Sequence, residues 1–407
     1  MTTKSPLQTL LQLPVLVAAL GYFVDMYDLF LFSIVRIPSL KALNVPADRL
    51  LPEGVFLLNT QLVGLLIGGV LWGVLGDKRG RLSVLFGSIL LYSLANIANG
   101  LVTSLTQYAV LRFVAGIGLA GELGAGITLV AEILPKHLRS YGALIVATLG
   151  VLGAITAFFV ADLFDWRVSY YVGGGLGLLL LVLRFNVFES GLFEHLKTAN
   201  IERGNFLSLL TNSERLRRYV LAIVTGVPLW FVVGILITFS PEFGQQAGLT
   251  EPIVAGKAVM LAFVGQSVGD VVSGLLSQRL QSRKKAIRLF VLLSFAMMLA
   301  YLLVPIRQPG TFYFLCLCLG FGNGYWTLFI ILAAELFGTN LRATVATSAP
   351  NFVRGATVPL TSAFVLLRPH LGVTYGALLL GTFVVVASLI ALKFLEETFH
   401  KDMNYVE

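Results

Sequence analysis

Charge is scarce in this chain: Asp, Glu, Lys and Arg make up 12% of its 407 residues, while 57% are hydrophobic. An ordinary soluble domain carries about twice that share of charge, so the balance excludes that class. Cysteine is scarcer still. Cys316 and Cys318 stand two apart in an apolar run, on different sides of a helix, so no disulfide framework and no metal site is expected. The four histidines, His137, His195, His370 and His400, fall in loops or tails by hydropathy, which leaves no buried imidazole to relay a proton. Missing too are a nucleophile elbow, a metal-ligand cluster and a phosphate-binding loop. Enzymatic chemistry, a bound cofactor and an ATP-driven cycle are therefore not expected. Nor is a cleavable leader, because the first apolar run carries Asp25 and Asp28 and lacks a small-residue cleavage site.

What the chain does have is apolar runs of spanning length from end to end. At roughly twenty residues per span, about twelve are legible, near 12–37, 55–76, 83–104, 107–131, 141–163, 168–188, 218–240, 254–277, 287–306, 311–333, 344–367 and 373–394. The fold class expected is an all-α membrane protein with about twelve transmembrane helices in two six-helix, pseudo-symmetric halves. The halves would be 1–188 and 218–407, joined by a polar linker over 189–217 that holds a short surface helix. The formal charge of +8 does not point to nucleic acid. With the N-terminus inside, most Lys and Arg residues, including Lys78, Arg79, Arg139, Arg217, Arg218 and Lys284, fall in cytoplasmic segments, so the basic excess reports topology. Both termini are expected in the cytoplasm, and the short loops suit a bacterial inner membrane. The bilayer is the expected environment, and a monomer is expected to suffice.

The halves also repeat one another. Gly68 to Arg81 (GGVLWGVLGDKRGR) returns weakened as Ser273 to Lys285 (SGLLSQRLQSRKK), and Glu132…Arg139 returns as Glu335…Arg342. The offsets are 274 − 73 = 201 and 335 − 132 = 203. Two halves repeated in parallel, with a site between them at mid-bilayer, are the architecture of an alternating-access carrier.

The stretch Gly73-x-x-x-Asp77-Lys78-Arg79-Gly80-Arg81 resembles the signature loop of the major facilitator superfamily. Physically, Gly73 would admit a neighbouring helix, Asp77 would meet a helix N-terminus or a basic partner, and Arg81 could reach Glu132. Together with Arg139, Glu335 and Arg342, these residues form the expected gate, which binds no substrate. Leu82 replaces the usual final basic residue, and Gln278 replaces the acid of the second copy. Within the superfamily, Gly21 to Asp28 resembles the acidic start of proton symporters for metabolites, niacin and aromatic acids, Arg112-x-x-x-Gly116-x-Gly118 is similar to a stretch of that group and of sugar porters, and Glu335 to Ala343 and Arg354 to Pro359 resemble the tenth-to-eleventh region of organic-ion carriers. The Gly-Pro pair that marks antiporters is absent from Gly150 to Ala154, which favours symport or uniport over efflux.

Six Asp, Glu, Lys or Arg residues lie at least five positions in from the ends of the expected spans: Asp25, Asp28, Arg112, Glu122, Asp270 and Arg354. Each costs about 2.5–3.5 kcal/mol at a helix centre on insertion scales, so each needs a partner or a task. Buried salt bridges are the ordinary alternative to function for all of them. Asp28 and Arg112 sit at similar depth in the first and fourth spans, and the resemblance implies that protonation breaks their pairing. Asp25, three residues from Asp28, is the other candidate proton carrier, with Glu122 beside them in the proton-coupling set. Arg354 suits an anionic substrate, because a guanidinium binds a carboxylate through two parallel hydrogen bonds. Asn351 shares its face. Asp270, four residues after Gln266, is a counter-ion for Arg354, a second coupling acid or a partner for a cationic substrate. Tyr27, Trp230, Tyr325 and Trp326 offer aromatic walls, Gln61 and Asn323 further polar contacts, and Pro228 in the seventh span and Gly320-Phe-Gly322-Asn323-Gly324 in the tenth mark places where the helices can bend. The expected function is proton-coupled uptake of a small organic anion, with a proton as coupling ion. A carrier for a cation, zwitterion or sugar, and a carrier-fold receptor or lipid-handling protein that binds without translocating, are the competing readings.

Overall fold

The computed structural model describes residues 10, 12–79, 81–121, 134, 139–189, 206, 209 and 211–399. Its elements are α1 (Leu13–Ala42), α2 (Leu50–Arg79), α3 (Arg81–Asn99), α4 (Leu105–Leu119), α5 (Arg139–Leu163), α6 (Trp166–Glu189) and α7 (Ser213–Phe231), which runs through a π-helical turn (Val232–Ile237) towards α8 (Ser240–Gln246). There follow α9 (Ala255–Leu280), α10 (Arg283–Leu303), α11 (Pro309–Gly322), α12 (Trp326–Glu335), α13 (Thr339–Gly355) and α14 (Thr357–Phe394). Helix is the element an apolar run must adopt in lipid, where backbone groups have no water to bond and must pair within their own segment. The helices begin where polar side chains take over that duty. Ser104, Asn212 and Ser282 accept hydrogen bonds from the first free N–H groups of α4, α7 and α10.

Eight stretches among the described residues are long and apolar enough to cross a membrane. The last of them, Thr344–Phe394, has 51 residues, about 77 Å of helix, more than twice a hydrocarbon core of about 30 Å. Gly372, at φ 69°, turns the chain there, so the stretch holds two passes. With that division, and with α7–α8 and α11–α12 each a single interrupted pass, the helices make the twelve passes the hydropathy predicts.

The chain forms two compact units, Met1–Phe32 with Val63–Arg203, and Ser33–Leu62 with Gly204–Glu407. Each contains a very close helix crossing of the same kind. In the first unit, a Cβ at Gly64 of α2 would lie 2.2 Å from the Phe113 carbonyl oxygen of α4, and one at Gly68 would lie 2.4 Å from that of Ile117. In the second, Gly265 and Gly269 of α9 stand at 2.1 and 2.3 Å from the Leu317 and Phe321 carbonyl oxygens of α11. The spacing repeats: 265 − 64 and 269 − 68 are both 201, and 317 − 113 and 321 − 117 are both 204. The duplication read from the loop motif thus reappears as backbone-on-backbone packing that only glycine permits.

In the second unit the segment Ser33–Leu62 is held by polar ties. Arg36, fully buried, sets one guanidinium nitrogen 2.7 and 2.8 Å from the two carboxylate oxygens of Glu242 and lies 4.7 Å over the Phe239 ring. The Ser33 and Thr238 hydroxyls are 3.2 Å apart, and Thr238 also donates to the Val233 carbonyl inside the π turn. Further along, Asn59 donates to Ser362 and accepts from Thr361.

Two tests follow from this packing. Gly265→Leu forces side-chain atoms into a carbonyl and is expected to destabilise by about 1–3 kcal/mol or more, read as the unfolding midpoint in detergent, whereas Gly274→Ala, with nothing within 4 Å, leaves the midpoint in place. Arg36→Met or Glu242→Gln alone strands a buried charge and should cost about 3–5 kcal/mol. The reversed pair, Arg36→Glu with Glu242→Arg, should recover most of that loss; silent single variants would mean the ion pair does not hold the segment.

Candidate functional site

Four helices of the first unit converge on Asp28. The carboxylate sits on α1, 1% exposed, and Oδ2 accepts a hydrogen bond from Asn96 Nδ2 of α3. Arg112 of α4 and Asp25, one helical turn earlier on α1, both act on it electrostatically. Gly173 of α6 faces the remaining oxygen: a Cβ there would lie 2.9 Å from Asp28 Oδ1. Arg112 is wholly buried, 4.8 Å over the Phe32 ring and 5.9 Å over that of Tyr170. Tyr170 shares a 2.6 Å hydrogen bond with Tyr108, whose ring meets Phe32 edge-on at 5.7 Å. Two aromatic faces therefore flank the guanidinium and contribute to holding its charge. Tyr27, read from the sequence as a substrate wall, donates its hydroxyl to the Ser169 carbonyl of α6 at 2.9 Å. Glu122, the fourth member of the expected proton-coupling set, lies outside the described residues.

In the second unit Arg354, 1% exposed near the end of α13, lies 5.6 Å over the Trp230 ring of α7. Asn351 is one turn earlier and also buried. The tenth pass breaks between α11 and α12, at the Gly-Asn-Gly sequence that hydropathy left as a bending point. Asn323 in the break donates to the Leu229 carbonyl of α7 at 3.0 Å, and Tyr325 OH reaches the Thr225 carbonyl at 3.5 Å. Asp270 of α9 occupies the start of α12, accepting from the Thr327 N–H at 3.1 Å, with the Thr327 hydroxyl and the Trp326 N–H as further donors. Three donors at a helix N-terminus suit a carboxylate. Among the described residues these bonds, rather than Arg354, are what Asp270 makes. Gln266, one turn before it, is half-buried, Gln61 of α2 is buried, and Trp326 opens α12 with little of its ring exposed.

Of the expected gate, Glu132 lies outside the described residues, and Gly73, Asp77, Arg81 and Arg139 are described only as helix backbone. The second copy is complete. Arg283, at the start of α10, meets Glu335 at 3.4 Å, and Thr398 donates to the same carboxylate at 2.7 Å. The positions match the first copy, since 283 − 81 = 202 and 335 − 132 = 203. Arg342 instead reaches the Phe337 carbonyl at 3.4 Å. Next to the pair, Glu397 is pushed up by partial burial but accepts from the Ser282 hydroxyl and from the Arg283, Phe399 and Thr398 N–H groups, which together hold its carboxyl below the usual range.

Several contributing residues escape the sequence reading. Arg36 looked like a flank of the first span, and its only sequence signal is a cation directly abutting an unbroken apolar run. Asn96, Glu242 and Arg283 carry no signal of their own, because each is defined by a partner between 52 and 206 residues away.

Comparison with known proteins agrees with this architecture. The chain is 27% identical over 387 residues to a probable 4-methylmuconolactone transporter of Cupriavidus pinatubonensis, covering 91% of this chain and 86% of that one. It is 26% identical over 398 residues to a gentisate transporter of Corynebacterium glutamicum, covering 91% and 85%. Among solved structures, the partially occluded inward-open xylose transporter XylE from E. coli superposes with a TM-score of 0.71 at 18% identity, over 96% of this chain and 99% of that one. The sequence model of the Major Facilitator Superfamily matches residues 18–358. With twelve passes, a duplicated glycine seam and a buried charge cluster in each unit, this multi-pass membrane chain belongs to the Major Facilitator Superfamily and is a transporter, not an enzyme.

Proposed function

We propose that the protein is a proton-coupled symporter that takes up a small organic anion, an aromatic acid or a comparable monocarboxylate, by alternating access of its two halves. The observation that carries this reading is the division of buried charge between the units. The first holds a carboxylate, Asp28, beside a guanidinium flanked by aromatic rings, with no histidine among the described residues of the cluster. The second holds a guanidinium, Arg354, over an indole face. A carboxylate is the group that can take and lose a proton as its surroundings change between dry and wet. A guanidinium over an aromatic ring offers an organic anion a charged fork for its carboxylate and a flat wall for its body. The relatives named as carriers of gentisate and 4-methylmuconolactone support a substrate of this size and shape.

In this reading Asp28, with Asp25, Arg112 and Glu122, carries the coupling proton. Arg354 anchors the substrate, and Asn351, Gln61, Asn323, Trp230, Tyr325 and Trp326 shape its surroundings. Asp270 and Gln266 position the broken tenth pass. The gate set of Gly73, Asp77, Arg81, Glu132, Arg139, Glu335 and Arg342 gains Arg283. A monomer in a bacterial inner membrane, with both termini in the cytoplasm, is the form proposed to work.

A thermal-shift screen with gentisate, benzoate and muconate, beside amines and sugars, tests the anchor. A binder at a hundred times its Kd adds about 2.7 kcal/mol to the native state. Carboxylates are expected to raise the melting temperature, and Arg354→Lys, which keeps the charge but loses the fork, to remove most of that rise. A response to amines or sugars alone would sink the anion reading. In proteoliposomes, Asp28→Asn is expected to abolish pH-driven accumulation while substrate exchange continues; accumulation at wild-type level would remove Asp28 from the coupling step.

A further inference from the structure

The two oxygens of Asp28 are not equivalent. We infer that Asn96 and Gly173 assign the coupling proton to a single atom, Asp28 Oδ1, and that Asn96 is the positioning residue that sets how readily it binds. The inference rests on the reading that Asp28 carries the proton.

An amide N–H donates to an oxygen lone pair and has no use for a hydroxyl hydrogen pointed at it. Asn96 Nδ2 donates to Asp28 Oδ2, so a lone pair of that oxygen is already taken and an added proton meets less competition on the other oxygen. The favoured atom is thus Oδ1, which is buried and has no hydrogen-bond partner among the described residues. The place beside Oδ1 is kept clear by the neighbouring helix, because a Cβ at Gly173 would stand 2.9 Å from it. The next residue completes the arrangement. At Gly174 a Cβ would stand 2.7 Å from the Ser93 carbonyl and 2.5 Å from Ile97 Cγ1, so a bare backbone lets α3 approach α6 one turn before and just after Asn96. Two adjacent glycines thus serve the two oxygens, one clearing Oδ1 and the other letting α3 come near enough for Asn96 to reach Oδ2.

Among the described residues, the other charged or titratable groups around this carboxyl are Arg112 on α4, Asp25 and Tyr27 on α1, and Tyr170 on α6. Arg112 and Asp25 raise or lower the charge felt by the whole carboxyl. Asn96 distinguishes its two oxygens. Binding and release are one proton added to and removed from Oδ1, exchanged with water on whichever side has access.

Infrared difference spectra of the purified protein, recorded as a pH titration, test this without a substrate. The Asp28 carboxylic band is identified by its loss in Asp28→Asn. Asn96→Ala removes a donor that favours the charged form. The band's midpoint is expected to move to higher pH by about one unit or more, a tenfold change in proton affinity, and its frequency should change with the lost hydrogen bond. Gly173→Ala is expected to displace the same band, and Gly175→Ala, with nothing within 4 Å, to leave it alone. If Asp28→Asn removes no titrating band, Asp28 does not hold the proton and the coupling reading itself falls. If the band is present but keeps its midpoint and frequency in Asn96→Ala, only the assignment to Oδ1 by Asn96 is overturned.

Discussion

A cation that cannot leave the hydrocarbon must be housed there, and this protein is organised around three such cations. Arg36, Arg112 and Arg354 head its fully buried side chains by volume. Each lies over an aromatic face, Phe239, Phe32 and Trp230 respectively, at 4.7, 4.8 and 5.6 Å. The ring quadrupole supplies part of what water would have given, and hydrogen-bonding or ionic neighbours supply the rest. Because the charge is permanent, whatever varies must be its neighbour. Around Arg36 that neighbour is Glu242, around Arg112 it is the Asp28 cluster, and around Arg354 it is the proposed substrate carboxylate.

These three settings divide the work. The Arg36 pair is made and structural, holding Ser33–Leu62 to the residues around the π turn. In the π turn the Val233 carbonyl accepts from the Thr238 N–H five residues on and from the Thr238 hydroxyl as well. The Arg112 cluster contains the titratable group, and Arg354 stands beside a helix break whose loose end is fixed by Asp270. Fixed ties and candidate switchable charges are thus different groups, which is what a carrier needs if it is to change state without unravelling.

Much of this was legible in advance because lipid simplifies the code. Twelve apolar runs, the Gly-Asn-Gly interruption of the tenth pass and the rough depth of Asp28, Arg112 and Arg354 all follow from hydropathy and helical rise. What stayed hidden depends on pairs distant in the chain. Arg36 reads as an interfacial flank until Glu242 is seen beside it. Asn96 is one amide among many until α3 and α6 are in contact. Asp270 offered three roles on paper, and its place at the start of α12 depends on a helix break whose direction no periodicity encodes. Gln278 stands where the first copy has Asp77, and the ion pair of the second copy is formed by Arg283 and Glu335, which match Arg81 and Glu132 of the first.

The glycine seams bear on how such a chain ages. A crossing built from interlocking side chains drifts whenever one knob changes, since its hole must change too. A crossing of bare backbone against carbonyls has no knobs, and its geometry survives turnover of everything around it. Two copies of an ancestral half can therefore lose nearly all visible likeness, acid for amide in the loop motif included, while Gly64 with Gly68 and Gly265 with Gly269 keep the same registration. On that view the four glycines are the chain's oldest record of its own doubling, and counting residues between them dates nothing but still identifies which helix descends from which.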